Sequence, residues 1–403
     1  MSDPLRVQIS GPLSAFAAGF LAELVTHGYR PDSTAKHLQL MAHLGRWMAS
    51  RDLEPADLRR VEIAQFVQQR RATGRLHLAS ARALVPLLGY LRAVGVVPAA
   101  GSPEAPTPAG ELLDRYADYL RLRQGLKSST TRNYCNHARD FLADRERLIG
   151  GLGLETLDVA AINGYMWSES QRVSVSSTQA AAGVLRSFLR FLHVEGLIDR
   201  DLAVAVPSVA KWRLASLVRA VDATFVARLL AACGRATAIG HRDFAVLMLM
   251  SRLGLRIGEV AALRLDDLDW RAGELVISGK GDRRERLPLP VDVGEAIVDW
   301  LRHGRPHCRS RCVFIRSRSP LVGMHPTSLN GVVHRACGRA SLQDVTAHQL
   351  RHTAATEMLR AGAGLREVGQ VLRHRGSEVT SIYAKVDRRA LAVLVQPWSG
   401  AAA

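Results

Sequence analysis

Apolar residues recur at helical spacing through most of the chain. In Leu84-x-x-Leu87-Leu88-x-Tyr90-Leu91-x-x-x-Gly95 they fall at i, i+3, i+4 and i+7, the stripe of an amphipathic helix that ends at a glycine. The same pattern returns in Leu185-x-x-Phe188-Leu189-x-Phe191-Leu192-x-x-x-Gly196, displaced by 101 positions. Ser33-Thr34-Ala35-Lys36 parallels Ser129-Thr130-Thr131-Arg132, and Ile63 and Phe66 parallel Ile162 and Tyr165. Two ordinary amphipathic helices share such spacing by necessity, but three matched segments in one order indicate a duplication. GSPEAPTPAG, Gly101–Gly110, then reads as the linker between two helical copies. Within the second copy, GELLDRYADYLRLRQGLKSSTTRNYCNHARDFLADRE is helical with a turn before Ser128. Trp47 and Trp167 are expected to fill the helical cores.

The C-terminal half is patterned differently. HRDFAVLMLMSRLGLRIGEVAALRLDDLDW gives an apolar helix over about 243–253, a break at Gly254 and a second helical turn from about Ile257. Arg256 sits at the break. Glu259 follows one turn later, placed to hold Arg256 or the helix terminus. VISGKGDRRERLPLP alternates, turns at Gly-Lys-Gly-Asp and alternates again, which predicts a β-hairpin with Lys280 near its tip. DVTAHQLRHTAATEMLRAGAGLREVGQVLRHRGS places His348, Arg351 and His352 at the start of a helix. Gly362, Gly364, a further helix and His374 follow. The expected fold is mainly α with a small antiparallel β-sheet.

Composition narrows the partner. The 403 residues are 47% hydrophobic and only 5% aromatic, enough for two or three packed domains. The formal charge is +17, with 29 Lys+Arg against 17 Asp+Glu from Arg213 onward and 25 against 20 before it. Such a surplus points to a polyanion; nucleic acid is favoured over an anionic membrane, since no basic amphipathic anchor stands out. No run approaches the roughly 18 apolar residues of a spanning helix, and no basic leader precedes the first short apolar patch. Five scattered cysteines, Cys135, Cys233, Cys308, Cys312 and Cys337, do not form a disulfide framework. A soluble cytoplasmic, nucleoid-associated protein is expected.

Several side chains invite chemistry. Tyr383 stands in the polar, basic stretch HRGSEVTSIYAKVDRRA. A tyrosine is more often half buried with its hydroxyl bonded nearby, and a nucleophilic one, with a free pKa of about 10, needs a proton acceptor or a strongly positive site. Only five basic residues are lysines, so Lys280 in the hairpin turn is notable, because lysine can donate a proton that arginine retains. His348 and His352 have the i, i+4 spacing of a zinc helix, but Gln349 stands where that motif needs glutamate. His303, His307, Cys308 and Cys312 have ligand-like spacing without a second pair, so no metal site is expected.

Together LGLRIGEVAALRLDDLD, SGKGDRRERLPLP, TAHQLRHTAAT and LRHRGSEVTSIY, in that order, resemble the tyrosine recombinases, the phage integrase family. The resemblance implies catalytic roles for Arg256, Lys280, His348, Arg351, His374 and the nucleophile Tyr383, with Glu259 in support and DNA contacts that include Arg283 and Arg284. The family usually has Leu-Gly-His where this chain has Leu372-Arg373-His374, a change that alters the turn or adds a phosphate contact. The implied organisation is a helical module over 1–100, a linker at 101–110, a core-binding domain over 111–206, a linker at 207–217 and a catalytic domain over 218–403. The implied activity is site-specific cutting and rejoining of double-stranded DNA through a 3′-phosphotyrosine. It calls for a homotetramer on paired sites, accessory DNA-bending or partner recombinase proteins, and neither metal nor ATP as cofactor. A type IB topoisomerase shares the constellation but is disfavoured by the core-binding domain, and a catalytically inactive DNA-binding protein is disfavoured because all six positions are filled.

Overall fold

Three large clusters of buried side chains and one small one (Ala355, Val368 and Leu372) organise the described residues. The computed structural model describes residues 7–74, 77–97, 107–209, 220–279 and 284–373. Helices α1 (Ala17–Thr26), α2 (Pro31–Ala49), α3 (Arg60–Ala72) and α4 (Ala81–Ala93) surround Phe20, Leu24, Met41, Leu44, Leu88 and Leu91. Pro31 opens α2, where its missing N–H costs nothing and its fixed φ suits the first turn. Helices α5 (Pro108–Asp118), α6 (Ser128–Ile149), α7 (Val159–Arg172) and α8 (Val175–Val194) surround an aromatic-rich cluster of Tyr116, Phe141, Phe188 and Phe191. Thr107, Asp158 and Ser174 cap α5, α7 and α8 by accepting from Gly110, Ala161 and Ser177 backbone N–H groups.

Buried positions agree between the two four-helix sets. Leu84, Leu87, Leu88 and Leu91 on α4 match Leu185, Phe188, Leu189 and Leu192 on α8, all buried. Gly95 and Gly196 both follow in the left-handed region, at φ +77° and +67°. Ile63 and Ile162 are each the fourth residue of their helix and are buried. Thr34 and Thr131, likewise fourth in α2 and α6, are both buried. The pairing of Thr34 with Thr130 read from the sequence is therefore one residue out of register.

Trp47 does fill the first cluster, edge-on to Phe66 at 5.6 Å and donating to Gln69 Oε1 at 2.8 Å. Trp167 does not fill the second, for it is 70% exposed. The buried stripe of α7 runs through Ile162, Tyr165, Met166 and Glu169, and position 167 lies about 100° round the helix from Met166, off that stripe.

The third cluster belongs to the C-terminal half. It is built on α10 (Ala238–Arg252), whose residues Ala245–Met250 are buried without interruption. Around it lie α9 (Ala223–Ala231), α11 (Ile257–Ala262), α12 (Val291–Asp299), α13 (Pro326–Arg339) and α14 (Ala347–Arg360); α15 (Leu365–Val371) packs on α14. A three-stranded antiparallel sheet, β1 (Leu268–Asp269), β2 (Glu274–Ser278) and β3 (Arg284–Pro288), runs in the order β1-β2-β3. Leu275, Ile277 and Leu287 face the core, and Ser278 pairs with Arg284 at the hairpin end.

The described residues divide into two compact units, 7–97 with 220–373 and 107–209. The first helices thus have their own core but share a unit with the C-terminal half. There Leu321 N–H donates to the His27 carbonyl at 2.9 Å and Ser319 Oγ to that of Gly28 at 2.6 Å. Gly28 has φ +73°, and a Cβ on it would lie 2.4 Å from Leu321 Cδ1, so only glycine suits this approach.

Phe188 is fully buried, with Tyr116 and Phe141 rings 5.0 and 6.3 Å away. Phe188→Ala is expected to destabilise residues 107–209 by about 3–5 kcal/mol. Trp167→Ala should change stability by less than about 0.5 kcal/mol. Hydrogen exchange of the α8 amides measures both.

Candidate active site

The site is built where three helix ends meet. Helix α10 stops at Arg252, and Gly254 follows at φ +57°; a Cβ there would lie 2.6 Å from Leu372 Cδ2. That glycine lets the end of α15 come close. Arg256 then begins α11 as the sequence predicts, its backbone N–H donating to Glu259 Oε2 at 2.8 Å and its Nη1 to Glu259 Oε1 at 2.7 Å. Glu259 therefore holds both the helix terminus and the arginine. Its side chain is 5% exposed, whereas that of Arg256 is 46% exposed, so the guanidinium reaches solvent from a buried anchor.

Helix α14 supplies the next two residues. Thr346 caps it, accepting from Gln349 N–H at 3.2 Å while Gln349 Oε1 accepts from Thr346 N–H at 2.9 Å. Gln349, which breaks the zinc pattern, thus has a capping role. His348 and His352 meet edge to face at 4.2 Å. Partial desolvation, then the charges of Arg351 and Arg256, hold the His348 pKa below its usual 6.5. Desolvation, then the neighbouring His348 and Arg351, push His352 down to about 4. Both rings are thus neutral at neutral pH, and His348 lies within the field of both arginines.

Arg351 is only 2% exposed, and its guanidinium donates to the carbonyls of Gly254 and Leu372. It ties the end of α10 to the end of α15. Next comes Arg373, at φ +56°. Its carbonyl accepts from Arg256 Nη2 at 3.2 Å. Its own Nη2 donates to Glu259 Oε2 at 2.7 Å and its Nη1 to the Val371 carbonyl at 2.9 Å. The left-handed conformation that suits glycine is therefore kept, and the side chain turns inward to Glu259 rather than out toward a phosphate. This contact was missed in the sequence, where the one signal was an arginine in a glycine position. Burial raises the Glu259 pKa, but the Arg373 charge and the hydrogen bonds from Arg256 and Arg373 outweigh it and leave the carboxyl below its usual value.

Of the predicted residues, Arg256, Glu259, His348 and Arg351 converge here. Arg284 lies exposed at the start of β3. Lys280, Arg283, His374 and Tyr383 lie outside the described residues. Among the described residues no three His, Cys, Asp or Glu side chains are grouped to hold a metal ion, and no helix is long and apolar enough to cross a membrane.

Comparison with known proteins gives this geometry its context. Residues 219–389 match the model of the phage integrase family. The y4rA protein of Sinorhizobium fredii (strain NBRC 101917 / NGR234), whose name designates an integrase/recombinase, is 37% identical over 396 residues, 97% of this chain and 96% of its own. Tyrosine recombinase XerC of Shewanella amazonensis (strain ATCC BAA-1098 / SB2B) is 30% identical over 286 residues, 70% of this chain and 93% of its own. This chain thus carries sequence that the XerC relative lacks. Among solved structures, XerH site-specific recombinase bound to palindromic difH substrate has the same fold, with a TM-score of 0.56, 16% identity and coverage of 73% of this chain and 98% of its own. Fold and relatives define a tyrosine site-specific recombinase. The chain belongs to the phage integrase family.

The histidine environment makes a prediction that needs no substrate. In an NMR titration of the full chain, His348 is expected to titrate below pH 6.5. Arg256→Gln should move it upward, because removing a neighbouring positive charge favours the protonated ring.

Proposed function

We propose that this recombinase cuts and rejoins double-stranded DNA at specific sites through a covalent 3′-phosphotyrosine at Tyr383, without metal or ATP. The observation that carries the reading is that Arg256 and Arg351 donate to the backbone carbonyls of Arg373 and Leu372, immediately before His374, while His348 lies within the field of both arginines. Attack on a phosphodiester loads negative charge onto the nonbridging oxygens, and the two guanidiniums of Arg256 and Arg351 are suited to take up that charge. His348, neutral and near two fixed positive charges, is suited to accept the Tyr383 proton as the tyrosine oxygen bonds to phosphorus. The bond to the 5′ oxygen breaks, and Lys280 returns a proton to that leaving group. His374 steadies the phosphate. The bond energy stays in the phosphotyrosine, so a 5′ hydroxyl can reverse the step and rejoin a strand.

Two paired sites contain four strands to be cut, which calls for four nucleophiles and hence a tetramer. Residues 111–206 would serve as the core-binding domain and 218–403 as the catalytic domain, with 1–100 as an added helical module. The basic surplus, concentrated from Arg213 onward, supports a DNA partner for the catalytic half.

The test uses a duplex selected from a randomised pool by the full chain and then nicked near its centre. Wild type is expected to form a detergent-resistant adduct with it, in excess EDTA as well as in buffer. Tyr383→Phe should form none while binding the duplex within about twofold of wild type, since only the attacking oxygen is removed. An adduct at wild-type level in Tyr383→Phe would assign the nucleophile elsewhere, and loss in EDTA restored by Mg²⁺ would overturn the metal-free chemistry.

A further inference from the structure

We propose that Arg373 is a positioning residue for strand cleavage, setting the orientation and effective charge of Arg256 through Glu259; this rests on the catalytic role proposed for Arg256. The geometry is a closed ring. Arg256 Nη1 donates to Glu259 Oε1 at 2.7 Å, Arg373 Nη2 donates to Glu259 Oε2 at 2.7 Å, and the Arg373 carbonyl accepts from Arg256 Nη2 at 3.2 Å. One residue therefore holds Arg256 twice, directly through its carbonyl and indirectly through the carboxylate.

Charge explains why an arginine here matters. A carboxylate paired only with Arg256 would cancel much of the positive charge that a phosphate must meet. With two guanidiniums on one carboxylate, the cluster keeps a net positive charge. The Glu259 and Arg373 side chains are 5% and 4% exposed, so water screens their pairing little, while the 46% exposed Arg256 faces outward. The surplus charge is presented where an anion can approach.

The backbone supports the same reading. A residue other than glycine at φ +56° is strained, and what opposes the strain here is the buried ion pair with Glu259 and the bond to the Val371 carbonyl. Arg373 Nε has no partner among the described residues, so the side chain's grip is through its two terminal nitrogens. An arginine held this way is unavailable for a direct phosphate contact.

The test compares wild type with Arg373→Gly, which suits the left-handed conformation and is expected to fold, and with Arg373→Lys, which keeps the charge. Each full chain is given the selected nicked duplex, and affinity and the single-turnover rate of adduct formation are measured separately. Arg373→Gly is expected to cleave at least about tenfold more slowly while its Kd changes less than about threefold. Arg373→Lys should recover part of the rate, as should guanidinium chloride at subdenaturing concentration added to Arg373→Gly, by refilling the vacated place beside Glu259. Equal rates for wild type and Arg373→Gly would overturn the positioning role. A parallel loss of affinity with a shallower salt dependence would overturn it in favour of a direct phosphate contact. Slow cleavage with a lowered melting temperature and no recovery by lysine or guanidinium would reduce Arg373 to a structural residue. If wild type forms no adduct, the proposed cleavage chemistry itself fails, a result distinct from all of these.

Discussion

The Glu259 carboxylate is the constraint around which the C-terminal half is arranged. An ionised carboxylate removed from water is costly unless it is paired and hydrogen-bonded, and its two oxygens here accept from the Arg256 backbone, the Arg256 side chain and Arg373. Those partners are the residue that caps the start of α11 and a residue just past the end of α15, so satisfying one buried charge fixes two separate pieces of backbone together. Gly254 permits the approach sterically, since any Cβ there would strike Leu372.

Arg351 obeys the same logic with the sign reversed. A buried guanidinium needs acceptors, and the carbonyls at helix C-terminal ends are unsatisfied by the helix and carry its negative dipole end. The Gly254 and Leu372 carbonyls follow α10 and α15, and Arg351 takes both. The two proposed clamp arginines thus serve the fold before they serve a substrate: Arg351 joins two helix ends, and Arg256 starts a third helix. Preorganisation of this kind lets positive charge face a phosphate without reorganising at the moment of reaction. Burial, and then the same field, keep His348 neutral, so the helix that carries an arginine also keeps a proton acceptor ready one turn away.

What was legible in the sequence follows from periodicity and local chemistry. The start of α11 at Ile257, the two matching apolar stripes and the hairpin pairing depend on near neighbours, and near neighbours were visible. Helix α10 begins at Ala238, earlier than the apolar run, because Thr237 caps it by accepting from Gly240; its first turn, Ala238 to His241, is separated from that run by Arg242 and Asp243. Trp167 was misplaced because residue type was weighed above helical phase. Arg373 was noticed only as a departure from a pattern. Its partner Glu259 lies 114 positions earlier, and no local rule couples the two.

The proposed duplication also fits how the two helical sets fill the same space with different residues. On α8, Ser187 precedes Phe188 and lies one turn before Phe191, and its hydroxyl accepts a bond from Tyr116 of α5 at 3.0 Å, with the Tyr116 ring 5.0 and 5.1 Å from those phenylalanines. At the matching place on α4 stands Pro86, inside the helix and without a hydroxyl. There the large ring comes from the other side: Tyr90, which matches Phe191, reaches toward Gly19 of α1, where a Cβ would lie 1.9 Å from its hydroxyl. One set uses a tyrosine on the first helix against phenylalanines on the last, and the other a glycine on the first helix beneath a tyrosine on the last. Each set thus fills the space between its first and last helices with different residues, and close-packed cores tolerate replacement where patterning and total volume are kept. Two copies under that constraint retain a common buried stripe while their outer faces are free to diverge, and the exposed Trp167 beside a buried Met166 marks where the constraint ends.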